Sequence, residues 1–184
     1  MTALPADHRI DAPSAWVERF APLIRDGGTV LDLACGFGRH CRCLAGRGLR
    51  VTAVDRAPEA IATLQDIPGV AATVADLEGG PWPFPGPRFD AVVVTNYLWR
   101  PLFPALLDSL EPAGVLLYET FAGGNERFGK PSNPDFLLRP GELLEVVRGR
   151  LAVIAFEDVC VEVPKPAMVQ RICAIGALHP RTVR

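Results

Sequence analysis

Hydrophobic positions along this chain follow two spacings. Near the amino end Trp16, Val17, Phe20, Leu23 and Ile24 recur at helical intervals with Glu18, Arg19 and Arg25 between them. Pro22 is expected to kink or end that helix. After the break at Gly27-Gly28 the pattern changes to short, nearly unbroken apolar runs: Val30 to Leu33, Val51 to Val54, Val70 to Val74, Phe89 to Val94 and Val115 to Thr120. Runs of this kind mark strands buried on both faces of a parallel sheet. Helical segments separate them. One occupies Arg39 to about Ala45 and stops at Gly46 and Gly48, and a second opens at Pro58, carries Ile61 and Leu64, and ends before Pro68-Gly69. A third places Leu102, Phe103, Leu106, Leu107 and Leu110 behind Pro101, and the last opens at Pro140 with Leu143, Leu144, Val146 and Val147. Strands alternating with helices predict an α/β fold.

The final two runs, Leu151 to Phe156 and Val169 to Ile175, are joined through Pro164-Lys165-Pro166. That span is too short for a crossover helix, so these strands should pair antiparallel. Two stretches fit neither spacing. Gly79 to Pro87 is too rich in glycine and proline for regular structure, and its Trp82 and Phe84 either wall a ligand pocket or seal the sheet's edge. Phe121 to Arg139 shows no periodicity, and a loop this long in a small domain is commonly a lid. Its Asn125, Glu126, Arg127, Phe128, Asn133 and Phe136 supply charge and apolar surface for closing over a substrate; a variable surface excursion is the plainer alternative.

Composition narrows the class. With 184 residues, 49% hydrophobic and 22% charged, the chain reads as one domain over residues 1–184, with a helical segment in 1–28 and a lid over 121–139. A net charge of −2 leaves no electrostatic footprint for a polyanion, so nucleic acid is disfavoured as a partner. No charged leader and no membrane-length apolar run is seen, which points to the cytoplasm, and the five cysteines, an odd number, suggest reduced thiols. Cys35 and His40-Cys41-Arg42-Cys43 look like a metal cluster, but residues two apart on a helix point to nearly opposite sides, so no metal is expected. Monomer and homodimer both remain open.

The chemistry concentrates between Thr29 and Asp55. Gly36 and Gly38 follow the first strand at a turn where a chain without Cβ atoms can approach a bound adenosine group, and Asp55 stands at the tip of the next strand, where an acid can accept from two ribose hydroxyls. A dinucleotide fingerprint would need a third glycine at Cys41, and it is missing. Asp32, four residues before Gly36, gives instead a pattern that resembles motif I of the class I S-adenosylmethionine (SAM) methyltransferases, Asp/Glu-x-Gly-x-Gly-x-Gly, with Ala34 in place of the first glycine. The substitution is mild provided that Ala34 keeps a negative φ.

The resemblance extends along nearly the whole chain. Val51 to Asp55 is similar to motif II, Ala75-Asp76-Leu77 to the adenine-holding segment, and Leu110 to Gly114 to the turn before strand five. An antiparallel last strand beside strand five is the family's signature too. The resemblance implies a Rossmann-like, seven-stranded, mostly parallel sheet with an antiparallel last strand and helices on both faces. It implies SAM as cofactor, contacted by Asp32, Ala34, Cys35, Gly36, Gly38, His40, Asp55, Arg56, Asp76, Leu77, Asn96 and Tyr97. Asn96 and Tyr97 should border the methyl group, and Tyr97, Glu119 or Tyr118 could accept a proton from a hydroxyl or amine substrate. Arg100 is a candidate for an acceptor carboxylate or oxyanion, Trp16 is chiefly a core anchor, and Arg39 and Arg42 read as a solvated face.

The branch most similar is the tellurite-resistance type and related small-molecule methyltransferases, implying a small-molecule methyl acceptor. Asn96-Tyr97 departs from the Asn-Pro-Pro-Tyr pattern of amino-methylating DNA and protein enzymes, and neither tyrosine has the lysine that short-chain reductases need. A protein or RNA acceptor, or a scaffold with this fold and no catalysis, are the alternatives.

Overall fold

A computed structural model describes residues 12–86 and 88–180. The amino-terminal part of the 1–28 segment and the tail Arg181 to Arg184 lie outside them. Helix α1, Ala15–Phe20, is capped by Ser14, whose Oγ accepts from Trp16 N. As the sequence predicts, Pro22 ends it; the chain tightens into a 3₁₀ turn, Ala21–Leu23. Strands and helices then alternate: β1 Thr29–Leu33, α2 Arg39–Gly46, β2 Arg50–Asp55, α3 Pro58–Ala62, β3 Val70–Val74 and β4 Phe89–Thr95. After β4 come α4 Phe103–Asp108, β5 Leu110–Phe121, α5 Glu142–Val147, β6 Ala152–Val161 and β7 Ala167–Ile175.

The seven strands lie in the order β3-β2-β1-β4-β5-β7-β6. β1 to β5 run parallel, while β7 is antiparallel to both β5 and β6, Tyr118 facing Ile172 and Glu119 facing Arg171 across the first of these pairs. The chain therefore has the seven-stranded, mostly parallel sheet that the apolar runs and the short final connection require.

Alternation along each strand divides the core in two. Val30, Val93, Val115 and Leu117 pack on one side with Trp16, Phe20, Cys41 and Leu44 from α1 and α2. Leu31, Leu33, Val92, Leu116 and Tyr118 pack on the other with Leu106, Leu107, Leu143 and Val147 from α4 and α5. Each buried leucine or valine contributes about 1.5–3 kcal/mol of transfer free energy, so both faces have to be covered and the strands cannot slip by one residue. Among the described residues no helix is long and apolar enough to cross a membrane.

The segment 121–139 is more ordered than its composition suggests. An Ala122↔Leu138 bridge closes its neck, and two 3₁₀ turns, Asn125–Arg127 and Pro134–Phe136, fill it. Asn125, 2% exposed, holds its base, donating from Nδ2 to Pro131 O and accepting at Oδ1 from Met168 N. Trp82 and Phe84 meet edge to face at 5.5 Å, Phe84 meets Phe89 at 6.0 Å, and both pack on the second core cluster. They seal the core there, and neither lines the cavity described next.

Candidate functional site

The chain steps outward from β1 through β2 to β3, then returns to the other side of β1 to lay down β4 and β5. Open α/β sheets bind ligands at the carboxyl ends of strands where such a reversal occurs. A cavity of about 250 Å³ lies there. Ala34 enters from the end of β1, Asp55 and Arg56 from β2, Ala75 to Glu78 from β3, and Asn96 and Tyr97 from β4.

Two of these residues have unusual backbones. Ala34 has φ 54° and Asn96 φ 55°, both left-handed. The expectation that Ala34 keeps a negative φ is therefore wrong: the turn out of β1 needs the conformation of the glycine it replaces, at a cost of about 1–2 kcal/mol. Asparagine tolerates this region better. Gly36, φ 53°, has nothing within 4 Å of the place a Cβ would occupy, so the backbone there presents a bare surface. Gly38, φ 73°, is constrained differently: a Cβ would lie 2.3 Å from Leu64 Cδ2, so this glycine serves the packing of α2 against the segment after α3.

Asp55 ties the loop to β2. Its Oδ2 accepts from Gly36 N at 2.8 Å and its Oδ1 from Ala57 N at 2.9 Å, leaving each oxygen with further acceptor capacity beside the cavity. Asp76 is held in its own turn: Oδ1 accepts from Glu78 N at 2.9 Å, and backbone bonds from Glu78 and Gly79 lower its pKa. A side chain at Gly79 would meet Asp76 Oδ2 at 2.7 Å, which is why the glycine follows. Glu78, another acid on this wall, was not singled out from the sequence; nothing in a loop glutamate distinguishes it from a solvated one.

Asp32 is 1% exposed at the end of β1. Its Oδ2 accepts from Cys41 Sγ at 3.0 Å, while Oδ1 is buried without a partner. Burial pushes its pKa up to about 6, against the lowering effect of the Cys41 thiol. Arg39, the first residue of α2, is not on a solvated face. Desolvation lowers its pKa, the carboxylates of Glu119 and Asp32 act on it from nearby, and its Nη1 donates to Ala12 O. Arg42 is bonded to the carbonyls of Phe37, Gly38 and Thr63.

His40 does not reach the cavity. It is 1% exposed, its Nε2 accepts from Ser14 N at 3.0 Å, and Nδ1 lies 3.4 Å from Thr95 Oγ1, so both ring nitrogens are engaged in joining α1 to β4. Burial, then the neighbouring Arg39, lowers its pKa to about 3. Cys35, 8% exposed, packs into the first core cluster, and its amide donates to Val54 O, fixing the turn.

The three candidate proton acceptors are dispersed. Tyr118 is 2% exposed in the second core cluster, meets the Phe103 ring edgewise, and donates its hydroxyl to Tyr97 O at 2.8 Å; burial raises its pKa. It is a core residue, not a base. Tyr97 lines the cavity, and burial followed by the carboxylates of Glu78 and Asp76 raises its pKa, placing its hydroxyl at the β3 end of the site. A phenol so disposed keeps its proton at neutral pH. Glu119 lies on the opposite face of β5 from Tyr118; its Oε1 accepts from Ser14 Oγ at 2.8 Å and its Oε2 from Arg171 Nη1 at 3.2 Å. Arg171 also stands 4.8 Å over the Trp16 ring and pairs with Glu157.

Arg100 is absent from the cavity at the strand ends; it lines a second one with Phe103, Leu107, Arg139 and Glu142, and its guanidinium is already engaged. It holds Glu142 through Nε and Nη2 at 2.7 and 2.9 Å and donates to the carbonyls of Asp135 and Leu137. All of its bonding serves to clamp the 121–139 segment to α5. Burial tends to raise the pKa of Glu142, but bonds from Arg100 and Arg139 outweigh it and bring the pKa down to about 2.

Comparison with known proteins agrees with this geometry. Residues 30–114 match the family model described as a methyltransferase domain. Over that span the chain is similar to the methyltransferase domain of class I SAM-dependent enzymes. It is 31% identical to trans-aconitate 2-methyltransferase of Streptomyces avermitilis over 93% of this chain and 65% of that one. It is 30% identical to the putative methyltransferase YqeM of Bacillus subtilis over 59% of this chain and 47% of that one. The chain thus spans less than two thirds of the length of either curated relative. Among solved structures, TehB from Haemophilus influenzae superposes with a TM-score of 0.77 at 19% identity, covering 92% of this chain and 64% of that one. A SAM-dependent methyltransferase from Mesorhizobium loti gives 0.68 at 18% identity, covering 88% and 98%. At these identities the structural matches speak for the fold alone.

The residues present fit the cofactor of that family. An unpartnered buried carboxylate oxygen on Asp32 suits a cationic group, and Asp55 suits a diol. The bare backbone at Gly36 admits close approach.

Proposed function

We propose that this chain binds SAM in the cavity at the β1–β4 switch point and transfers its methyl group to a small-molecule acceptor. The observation that carries the reading is the pairing of Asp55, held by the Gly36 and Ala57 amides, with the orphaned buried Oδ1 of Asp32 on the same glycine turn. When bound, SAM supplies an electrophilic methyl carbon on a sulfonium that departs as neutral S-adenosylhomocysteine (SAH). The protein's own contribution is then mainly alignment and exclusion of water. Asp55 accepts from the ribose hydroxyls, Asp76 and the Leu77 backbone hold the adenine, and Asp32 with Arg39 flanks the amino-acid end. Ala34 and Asn96 keep the strand ends in the strained turns that shape the wall between them.

Glu119 is the remaining candidate to accept a proton if the acceptor is a hydroxyl or amine. A carboxylate or thiolate acceptor needs no base. The trans-aconitate methyltransferase, similar over 93% of this chain, favours small carboxylates as the first acceptors to screen. The similarity to ribosomal RNA small subunit methyltransferase J of Aeromonas hydrophila extends over only 29% of this chain, and the net charge of −2 gives RNA no footprint. Calorimetric titration with SAH, with NADH in parallel, tests the reading. Saturable binding of SAH alone is expected; binding of NADH alone overturns it, and binding of neither favours a non-catalytic scaffold.

A further inference from the structure

We propose that the buried thiol of Cys41 is a positioning residue of this site, fixing the Asp32 carboxylate toward the cationic end of the cofactor. The proposal rests on the reading of the cavity as a SAM site and goes beyond it, because position 41 otherwise figures only as the place where a dinucleotide fingerprint would have its third glycine. Cys41 is the third residue of α2, is fully buried, and belongs to the first core cluster with Trp16, Phe20 and Leu44. An apolar side chain would fill that place, but it would offer Asp32 nothing. The Cys41 Sγ donates to Asp32 Oδ2 at 3.0 Å. The Cys41 amide acts on the same carboxylate, so one residue in the first turn of α2 grips Asp32 through both its main chain and its side chain.

The groups around the pair decide what the thiol contributes. Burial is the largest influence on Asp32 and pushes its pKa up to about 6; the Cys41 thiol opposes burial most strongly, ahead of Arg39, while Asp55 on β2 works with burial. An ionised carboxylate so placed depends on donors from within the protein. Cys41 is suited to be a permanent donor. Its hydrogen bond with Cys35, then burial and the Asp32 charge itself, raise its pKa, so the thiol keeps its proton where Asp32 has lost one. A thiol also meets both demands of the position, packing as a small apolar group while still carrying an S–H donor. With Oδ2 held by the thiol, the plane of the carboxylate is set and its charge stays beside the glycine turn, where the α-ammonium common to SAM and SAH would be received.

The test is calorimetric titration of the full chain with SAH from about pH 5 to about pH 8.5, for the wild type, Cys41→Ala, Cys41→Val, Cys41→Ser and Asp32→Asn. Wild-type affinity should fall as pH drops through about 6, because a protonated Asp32 no longer attracts an ammonium. Cys41→Ala and Cys41→Val each remove a hydrogen bond to a charged group, so their midpoints should lie about one pH unit higher. At about pH 6 these variants should bind about fivefold more weakly than the wild type, and above about pH 8 within about twofold of it. Cys41→Ser keeps a donor and should follow the wild-type profile, whereas Asp32→Asn should bind weakly without that pH dependence. Carboxyl carbon NMR of the ligand-free proteins reads the Asp32 midpoint separately from binding. If that midpoint is unmoved in Cys41→Ala and Cys41→Val, the inference alone is overturned. It also fails if their affinity is lower by the same factor at every pH, the mark of a packing role, or if Cys41→Ser shifts as they do. A wild-type protein that binds no SAH overturns the reading of the cavity, and this inference with it.

Discussion

Asp32 and His40 are both 1% exposed, nine residues of sequence span them, and burial moves their pKa values in opposite directions. His40 falls from 6.5 to about 3, and Asp32 rises from 3.8 to about 6. The consequences for stability have opposite signs. A histidine with a depressed folded pKa contributes stability above pH 6.5 that is lost as pH falls toward 3, because the unfolded chain takes up a proton that the folded one refuses. Asp32 behaves in reverse: between pH 6 and 3.8 the folded state takes up the proton first, so falling pH favours folding. Integrating both curves from about pH 6 to about pH 4, at about 1.4 kcal/mol per unit, gives a loss of roughly 2.5 kcal/mol from His40 and a gain of roughly 2 kcal/mol from Asp32. The two nearly cancel in the wild type. Single replacements should unmask them. Relative to wild type, and taking each protein's stability at pH 6 as its reference, His40→Gln should gain about 2.5 kcal/mol on going to pH 4, and Asp32→Asn should lose about 2 kcal/mol. For a chain of this length these are shifts of about 4–10 °C in melting temperature. Urea unfolding at fixed pH steps measures both, and carboxylates common to all three proteins cancel in the differences. Parallel stability profiles for His40→Gln and wild type would refute the claim that His40 is held neutral in the folded state.

Three further outcomes follow from the site's geometry. Ala34→Gly should raise stability by roughly 0.5–1 kcal/mol in thermal melting, the relief of the left-handed alanine less the added freedom of the unfolded chain; a lower melting temperature would show that φ 54° is not strained. Asp55→Asn, which keeps an acceptor oxygen for one of the two amides, should weaken SAH binding at least about tenfold in calorimetry while the protein stays folded, and unchanged affinity would remove Asp55 from the ribose. Arg100→Ala should destabilise by about 2–3 kcal/mol, less than a fully buried pair because Arg139 still bonds Glu142 and Arg100 is one-third exposed. That deficit should shrink as pH falls from about 4.5 toward about 2, where Glu142 of the wild type itself protonates, and SAH affinity should stay unchanged; a fall in affinity without loss of stability would return Arg100 to ligand recognition.

Much of this molecule is local physics and could be read from residue order. The apolar runs at Val30, Val51, Val70 and Phe89 are long enough and pure enough to be strands of a parallel sheet, and the glycines and prolines that bound them set the connections. The span from Val161 to Ala167 cannot hold a crossover, so the length of the connection by itself implies the antiparallel β6–β7 pair. The cavity-lining set Ala34, Asp55, Arg56, Asp76, Leu77, Asn96 and Tyr97 was also legible, because each stands at the carboxyl end of a strand or next to it.

What the sequence could not decide is which way a side chain faces and what already occupies its bonds. Tyr118 and Glu119 are neighbours on one strand, and pleating sends one into the core and leaves the other beside Ser14 and Arg171. His40, Arg39 and Arg100 carry chemistry that suits a site, yet two of them are spent on holding α1 and the 121–139 segment, and the third is drawn toward Asp32 and Glu119. Ala34 adopts a glycine's backbone because the turn between β1 and α2 leaves it no other route. Strand identity follows from short-range composition, whereas hydrogen-bond saturation and electrostatic shift depend on distant partners, as Ser14 and Glu119 are 105 residues apart, which only the packed tertiary structure brings together.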